Sequence, residues 1–210
     1  MALRFTPEDH ARIASAIAAA ERQTSGEIYA VFARSSDDYR FVAASVALGL
    51  SLALGWVATV IAHLGGLAIP ALAVETAQLV GAALLFVLLR SSRLTMLFVP
   101  PALARMRAAR LARAQFLAHN LHRTPERTGV LLFVSEAEHY AEVIADEGIA
   151  ASVEPSEWEA IVAHLTEAAR EDRLVEGFEQ AVGRCGARLA ARFPPDPDRR
   201  NALPDRLVEI

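Results

Sequence analysis

The sequence predicts an α/β protein: a three-layer α/β sandwich around a short mixed β-sheet, interrupted by an inserted transmembrane helical hairpin. Two long apolar runs, at 41–62 and 71–89, predict the hairpin. Strand-like segments on both sides of these runs predict the sheet, and two amphipathic patterns near the end of the chain predict helices that cover it. The composition agrees with a membrane segment, because 53% of the residues are hydrophobic and only 22% are charged.

The first elements are a helix and a strand. Thr6-Pro7-Glu8-Asp9 is typical of a helix start, with a hydroxyl N-cap, a proline in the first turn and acids near the positive end of the helix dipole. Ile13 and Ile17 mark the expected buried side of this helix. The segment from Glu27 to Ala33 has the composition of a β-strand.

The apolar runs are long enough to cross a bilayer. Phe41 to Ala62 contains 22 uncharged residues, which span about 33 Å as a helix, against roughly 30 Å of hydrocarbon. Ala71 to Leu89 contains 19 residues, with Glu75 near one end as its one charged residue. A turn of eight residues, His63 to Pro70, joins the two runs. We therefore expect a two-span anchor.

Arginines outside the hairpin predict its orientation. All 21 basic residues other than histidine are arginine, which with the heavy use of alanine is typical of a GC-rich bacterial genome. The positive-inside rule places both flanks of the hairpin in the cytoplasm and the turn outside. The expected location is the inner (plasma) membrane, with the soluble domain cytoplasmic. The flanking arginines are Arg34, Arg40, Arg90, Arg93, Arg105, Arg107, Arg110 and Arg113.

An arginine-rich helix is expected after the hairpin and after the patch Leu94 to Val99, which is too short to span. It is interpreted either as a basic helix on anionic lipid or as a domain helix with its arginines in solvent, the second being favoured because the apolar side is mostly alanine. Both interpretations can hold in part. The expected apolar side comprises Ala104, Ala108, Leu111, Ala114, Ala118 and Leu121.

The second half of the chain completes one domain. Val130 to Val134 is apolar on both faces, as a buried strand is, and His139 to Ala145 is expected to pair with it as a hairpin. A helical crossover makes the first two strands parallel. Residues 1–40 and 94–193 are therefore predicted to form one domain, with 41–93 inserted and 194–210 an extended tail. Two closing helices are marked by Trp158, Ile161, Val162, Leu165, Val175, Phe178, Val182, Cys185 and Leu189.

The carboxylates form two groups in this topology. Asp37, Asp38 and Glu136, with Glu138 nearby, follow the carboxyl ends of the first two strands, where ligands bind in open α/β sheets. They are the candidate ligands of a calcium or magnesium ion, although solvated turn residues are the favoured alternative. A second candidate pair, Asp146 and Glu147, lies at the opposite end of the sheet, near Glu27. No catalytic residue is predicted.

Motifs for other enzyme or metal chemistry are few in this sequence. The sequence contains no phosphate loop, dinucleotide glycine motif, nucleophile elbow or zinc-protease motif. The single cysteine, Cys185, lies on an apolar stripe and is expected in the core. His119 and His122 have a spacing that suits a shared metal, but solvated side chains are favoured. A net charge of −4 argues against a nucleic-acid partner.

Several segments of the predicted soluble portion form a recognisable set. They are Thr24-Ser25-Gly26-Glu27-Ile28, Arg127 to Val134, Val143 to Ile149, Gln115 to His119, and Gly177-Phe178 through Cys185-Gly186 to Phe193. Together they resemble the TPM-domain family, in particular a membrane-inserted bacterial branch. Where better-studied members have a Gly-Tyr-Gly loop after the third strand, this chain has Ala145 to Gly148.

The resemblance implies an α/β sandwich and two kinds of function. Some members of the family are calcium-binding acid phosphatases, and others are assembly or repair factors of membrane complexes. We expect an interaction or assembly factor with a protein partner near the membrane. The alternative is a weak phosphatase that depends on calcium or magnesium. The partner, the substrate and the oligomeric state are left open.

Overall fold

A computed structural model describes residues 4–90, 92–123, 127–150, 153–196 and 203–210. The chain divides into two compact units. The first unit comprises residues 1–36 and 105–210, and the second comprises residues 37–104. The second unit is therefore an insertion between the first strand and the rest of the α/β unit. Within the described ranges the chain is a mixed α/β protein with one four-stranded mixed sheet.

The α/β unit begins with helix α1, Pro7–Glu21, and strand β1, Glu27–Ala33. The hydroxyl of Thr6 accepts a hydrogen bond from the backbone N–H of Asp9 (3.2 Å), and the Asp9 carboxylate accepts one from the Thr6 N–H (2.8 Å). This capping box fixes the helix start that the sequence predicts. Ile13 and Ile17 are fully buried, as expected.

The sheet has the strand order β3-β2-β1-β4. Strand β2, Gly129–Ser135, pairs in parallel with β1, and β3, Tyr140–Ala145, pairs antiparallel with β2. Both relations were predicted. The fourth strand, β4, Leu207–Glu209, pairs in parallel with the outer side of β1. Residues 194–210 were predicted to form an extended tail. In the structure the end of this tail forms β4 and joins the sheet.

Helices pack on both faces of the sheet. One core joins α1 and the closing helices, α7 (Pro155–Arg170) and α8 (Leu174–Ala190), to alternate residues of β1 and β2 such as Phe32 and Leu132. The other core joins α5, Pro101–Ala118, to the intervening residues, such as Phe133. All seven residues of β1 and of β2 are buried because both faces are covered.

The buried side of helix α5 agrees in part with the predicted one. Its buried residues are Ala104, Ala108, Ala112 and Phe116, at intervals of four. Ala104 and Ala108 were predicted to be buried, as was Leu121 after the helix, and Leu111 packs against the same core as Ala108. Ala114 and Ala118, which were also expected to be buried, are exposed. Alanines on every side of this helix give little contrast in hydrophobicity, so the sequence pattern identified the buried face only in part.

The second unit is built on two long apolar helices, α2, Arg40–Leu64, and α3, Ala71–Leu89. They contain the two predicted runs and are long and apolar enough to cross a membrane, with mean hydropathies of 2.0 and 2.1 over their best windows. Ala43 and Ala47 of α2 pack with Leu89 of α3. A Cβ at Gly55 would fall 2.3 Å from Nε2 of Gln78, so a larger residue there would require the Gln78 side chain to move.

The remaining helices are short. Helix α4, Ser92–Met96, follows the hairpin, a single 3-10 turn, Leu121–Arg123, precedes β2, and α6, Glu147–Ala150, follows β3. Leu121 is fully buried and its carbonyl oxygen would lie 2.5 Å from a Cβ at Gly129. The first residue of β2 is therefore glycine because the 3-10 turn packs directly over it.

Candidate functional site

A serine–glutamate cluster occupies the carboxyl ends of β1 and β2. Glu138, in the turn between β2 and β3, is 8% exposed. Its carboxylate accepts hydrogen bonds from the backbone N–H of Ser36 (2.8 Å) and from the hydroxyls of Ser35 (3.3 Å) and Ser135. The hydroxyls of Ser36 and Ser135 lie 2.8 Å apart. Glu138 thus ties the exit of β1 to the end of β2, and several donors already satisfy its charge.

The predicted metal ligands are divided between the two units. Asp37 and Asp38 belong to the second unit, at the start of α2, and Glu136 belongs to the first. Asp37 Oδ1 accepts from the N–H of Tyr39 (3.3 Å), and Asp38 Oδ2 lies 2.9 Å from Nε of Arg40. Nowhere in the described ranges do three His, Cys, Asp or Glu side chains come together as a group that could hold a metal ion. The calcium or magnesium site stays a prediction.

The alternative carboxylates lie at the other end of the sheet. Asp146 is 4% exposed, and its Oδ1 accepts from the N–H of Glu147 (2.7 Å) and lies 3.5 Å from Arg127 Nη2. The carboxylate of Glu147 is exposed and lies 2.6 Å from Arg127 Nη1. The structure therefore gives this pair one shared arginine, which neutralises part of its charge.

A cavity of about 330 Å³ adjoins the serine–glutamate cluster. It opens beside the end of β2, between the β2–β3 turn, the start of β3 and the carboxyl end of α7. Arg170, on its rim, is exposed and makes no ion pair with any other described residue. The volume lies in the range of small binding pockets. The polar lining residues are Ser135, Glu136, His139, Tyr140, Thr166, Arg170 and Asp172.

The β2–β3 turn that frames this cavity is conformationally restrained. It contains four residues between Ser135 and Tyr140, which face each other in the ladder. His139 closes the turn in the left-handed region, with φ 48°, and its N–H donates to the carbonyl of Glu136 (3.1 Å). A non-glycine residue in this region is uncommon. The turn holds the exposed His139 side chain at the cavity.

Of the two histidines that the sequence spacing singled out, His119 packs against an aromatic ring. His119 lies against the ring of Tyr29, with centroids 4.5 Å apart, and its Nε2 lies 3.1 Å from Oε1 of Gln115. Burial and the nearby charge of Arg206 lower the pKa of His119. Cys185 is fully buried in the core, as predicted, and burial raises the pKa of its thiol to about 12. His119 and Cys185 thus both contribute to packing in the α/β unit.

Sequence reasoning placed Glu136 and Glu138 after the carboxyl end of the second strand, where the structure has them, but did not find Thr166, Arg170 or Asp172. These residues follow β2 by about thirty positions or more, and only the packing of α7 against β3 brings them to the cavity. Arg170 occupies the last turn of a helix, where arginine is common for electrostatic reasons. The sequence alone could not show whether Arg170 stabilises the end of the helix or lines a cavity.

The comparisons with known proteins concern the fold alone. No family model matches the chain, and no curated protein matches it. The chain is similar to the BA42 protein of the psychrophilic bacterium Bizionia argentinensis, solved by NMR. The TM-score is 0.60 at 17% sequence identity, and the match covers 98% of this chain and 95% of the other. At this identity the likeness shows a shared fold.

Proposed function

We propose that the protein is anchored in the inner (plasma) membrane by α2 and α3, and that its α/β unit binds a protein partner in the cytoplasm as an interaction or assembly factor. In this proposal the unit is a TPM-like three-layer α/β sandwich. One observation carries the anchor: large apolar side chains of both helices face outward. Leu54, Trp56, Leu72 and Leu79 are each at least 63% exposed.

A core helix of a soluble protein would bury most of such a segment. Only 22% of the best window of α2 and 6% of that of α3 is buried inside the structure. Exposing so many large apolar groups to water is unfavourable by about 25 cal/mol per Å² of apolar surface. Lipid chains around the hairpin remove this cost, which supports a position in the bilayer.

Extraction of native membranes tests the anchor. An integral hairpin stays in the membrane pellet after washing with alkaline carbonate and with high salt, and only detergent releases it. Replacing Leu54, Leu72 and Leu79 by serine lowers the hydropathy of both spans and shifts the protein towards the soluble fraction. A parent chain that carbonate releases completely would contradict the anchor.

The partner site in this proposal is the cavity beside the serine–glutamate cluster. Its size suits one or two side chains of a partner segment. Arg170 supplies a charge that no other described residue neutralises, and arginine is enriched among the residues that dominate protein interfaces. The restrained turn at His139 supplies a rigid wall, which lowers the entropy lost on binding.

Site-specific photo-crosslinking tests this site. Benzoylphenylalanine in place of His139 should give one discrete adduct in living cells, and Arg170→Glu should abolish it. Arg184 is also exposed, makes no ion pair with the other described residues and lies on α8, so Arg184→Glu is the matched control that should leave the adduct unchanged. An adduct unaffected by Arg170→Glu would exclude the cavity as the partner site.

The weak calcium- or magnesium-dependent phosphatase is the alternative from the sequence, with Asp37, Asp38 and Glu136 as ligands. The interaction role is the better supported, because the cavity and the exposed Arg170 on its rim offer a surface that a partner segment can bind. We expect little or no hydrolysis of a phosphomonoester by the full chain in detergent. Hydrolysis well above background that requires added metal and is lost in Asp38→Ala or Glu136→Ala would favour the phosphatase over the interaction factor.

A further inference from the structure

The outer face of helix α5 combines cations with exposed apolar side chains. Met106, Arg110, Arg113 and Leu117 follow each other at intervals of four, three and four residues, and so lie on one side of the helix. We call these four residues the outer stripe. Met106 is 49% exposed and Leu117 is 57% exposed. Both arginines are also exposed.

The sheet leaves this stripe uncovered. The buried alanines Ala108 and Ala112, with Phe116, pack against β1 and β2 and occupy the opposite side of α5. Arg110 and Arg113 make no ion pair with any other described residue. Two of the four arginines of the helix, Arg110 and Arg113, lie on the outer stripe, and the helix contains no acidic residue, so the stripe is positively charged.

Chain connectivity keeps α5 close to the hairpin. Helix α3 ends at Leu89 and α5 begins at Pro101. Twelve residue steps reach at most about 40 Å even when fully extended. Part of this segment is helical, because α4 occupies residues 92–96, which shortens the reach further. If α3 crosses the bilayer, the start of α5 therefore lies within about 40 Å of the end of that span, and Arg110 and Arg113 lie about 14 to 18 Å further along α5. The connection thus limits how far the outer stripe can lie from the lipid headgroups.

We propose that the outer stripe of α5 docks on anionic phospholipid headgroups of the leaflet in which α3 ends. Arg110 and Arg113 bind headgroup phosphates, and Met106 and Leu117 enter the boundary between headgroups and acyl chains. Charge complementarity selects this occupant, because a helix with several arginines and no acid matches an anionic surface. The inference rests on the proposed anchoring by α2 and α3 and adds a lipid preference to it.

A fluorescent reporter on α5 tests the docking. The exposed Ala114 is replaced by cysteine and labelled with bimane in the full chain. Cys185 is fully buried, so the parent chain measures background labelling. The protein is placed in nanodiscs of phosphatidylcholine alone, or of equal parts of phosphatidylcholine and phosphatidylglycerol, both with a nitroxide on some headgroups. Quenching of bimane reports the approach of α5 to the headgroups.

We expect stronger quenching in the anionic nanodiscs. Arg110→Gln with Arg113→Gln should lower the equilibrium constant for docking about thirty-fold, since each arginine near an anionic leaflet contributes about 1 kcal/mol and every 1.4 kcal/mol is a factor of ten. Arg22→Gln with Arg184→Gln removes the same charge from exposed positions on other elements, and should leave the quenching unchanged. High salt should weaken the docking of the parent protein.

The outcomes separate the two proposals. Equal quenching in both lipid mixtures, or no loss in the double α5 variant, overturns the docking while leaving the anchor intact. Equal losses in the α5 variant and its control would show a dependence on net charge alone, which also overturns it. A chain that does not enter nanodiscs at all overturns both the anchor and the docking.

Discussion

At the scale of single residues, the carboxylates that follow β1 and β2 differ in burial, and only Glu138 among them is buried. Asp37, Asp38, Glu136 and Glu138 all follow strand ends, and the first three were predicted as metal ligands, with no sequence signal that set Glu138 apart. The structure turns Glu138 inward, to the hydroxyl of Ser135 and the backbone of Ser36. This choice depends on the β2–β3 turn and on the parallel register of β1 and β2, so it could not be predicted from the residue types.

Replacing Glu138 tests whether its hydrogen bonds to Ser36 and Ser135 stabilise the ends of β1 and β2. Hydrogen bonds to a charged group are worth about 1.5 to 3 kcal/mol, and Glu138→Ala removes the carboxylate acceptor of the buried Ser135 hydroxyl. We expect the variant to lower the Tm of the full chain in mild detergent by about 5 °C or more. Glu159→Ala removes an exposed carboxylate from α7 and is the control. Equal melting of Glu138→Ala and the parent would contradict the structural role.

The pH dependence of stability tests the environment of His119. Burial, and then the charge of Arg206, lower the pKa of this imidazole in the folded protein below the usual 6.5. The unfolded chain therefore binds more protons, and the free energy of unfolding falls as the pH decreases below 6.5. The stability contributed by neutral His119 is complete above that pH.

We expect the His119→Gln variant to lose less stability than the parent over the same acid range. Thermal melts at a series of pH values in detergent measure the difference. His119→Gln also removes the contact with Tyr29, so its Tm at neutral pH is lower. The slope with pH is the test, and identical slopes in variant and parent would contradict a lowered pKa.

At the scale of elements, a helix or strand could be predicted where its apolar residues were clearly separated from polar ones in the sequence. The helices α2 and α3 stand out because their apolar runs contain almost no charge, and β1 and β2 because both of their faces are apolar. The buried face of α5 was predicted only in part, because alanines lie on every side of the helix. Strand β4 was missed because three residues are too few to show an alternating pattern.

Leu207 tests whether β4 belongs to the sheet. Its side chain is 3% exposed and packs in the core that contains Ile28 and Phe178. Leu207→Ala should lower the free energy of unfolding by about 2 to 4 kcal/mol, through lost burial and the cavity left behind. Ile210→Ala, at a residue that is 42% exposed, should have a much smaller effect. Similar small effects of both changes would place the end of the chain outside the core.

At the scale of the whole molecule, the insertion of residues 37–104 between β1 and the rest of the α/β unit is the main feature. Replacing residues 37–104 by a flexible glycine–serine linker should leave a unit that melts cooperatively, because both cores of the sheet lie outside that segment, apart from the start of α5. Removing residues 1–36 should prevent folding, since β1 lies between β2 and β4. A cooperative melt of the truncated chain would contradict a single α/β unit.

Membrane topology tests the proposed anchor most directly. Alkaline phosphatase is active only after export, so it reports the side of the membrane on which a fusion point lies. We expect a fusion after Ala68, in the turn between α2 and α3, to be active, and a fusion after Ile210 to be inactive. The opposite pattern would contradict the orientation inferred from the arginines, and inactivity of both fusions, with the protein in the soluble fraction, would contradict the membrane anchor itself.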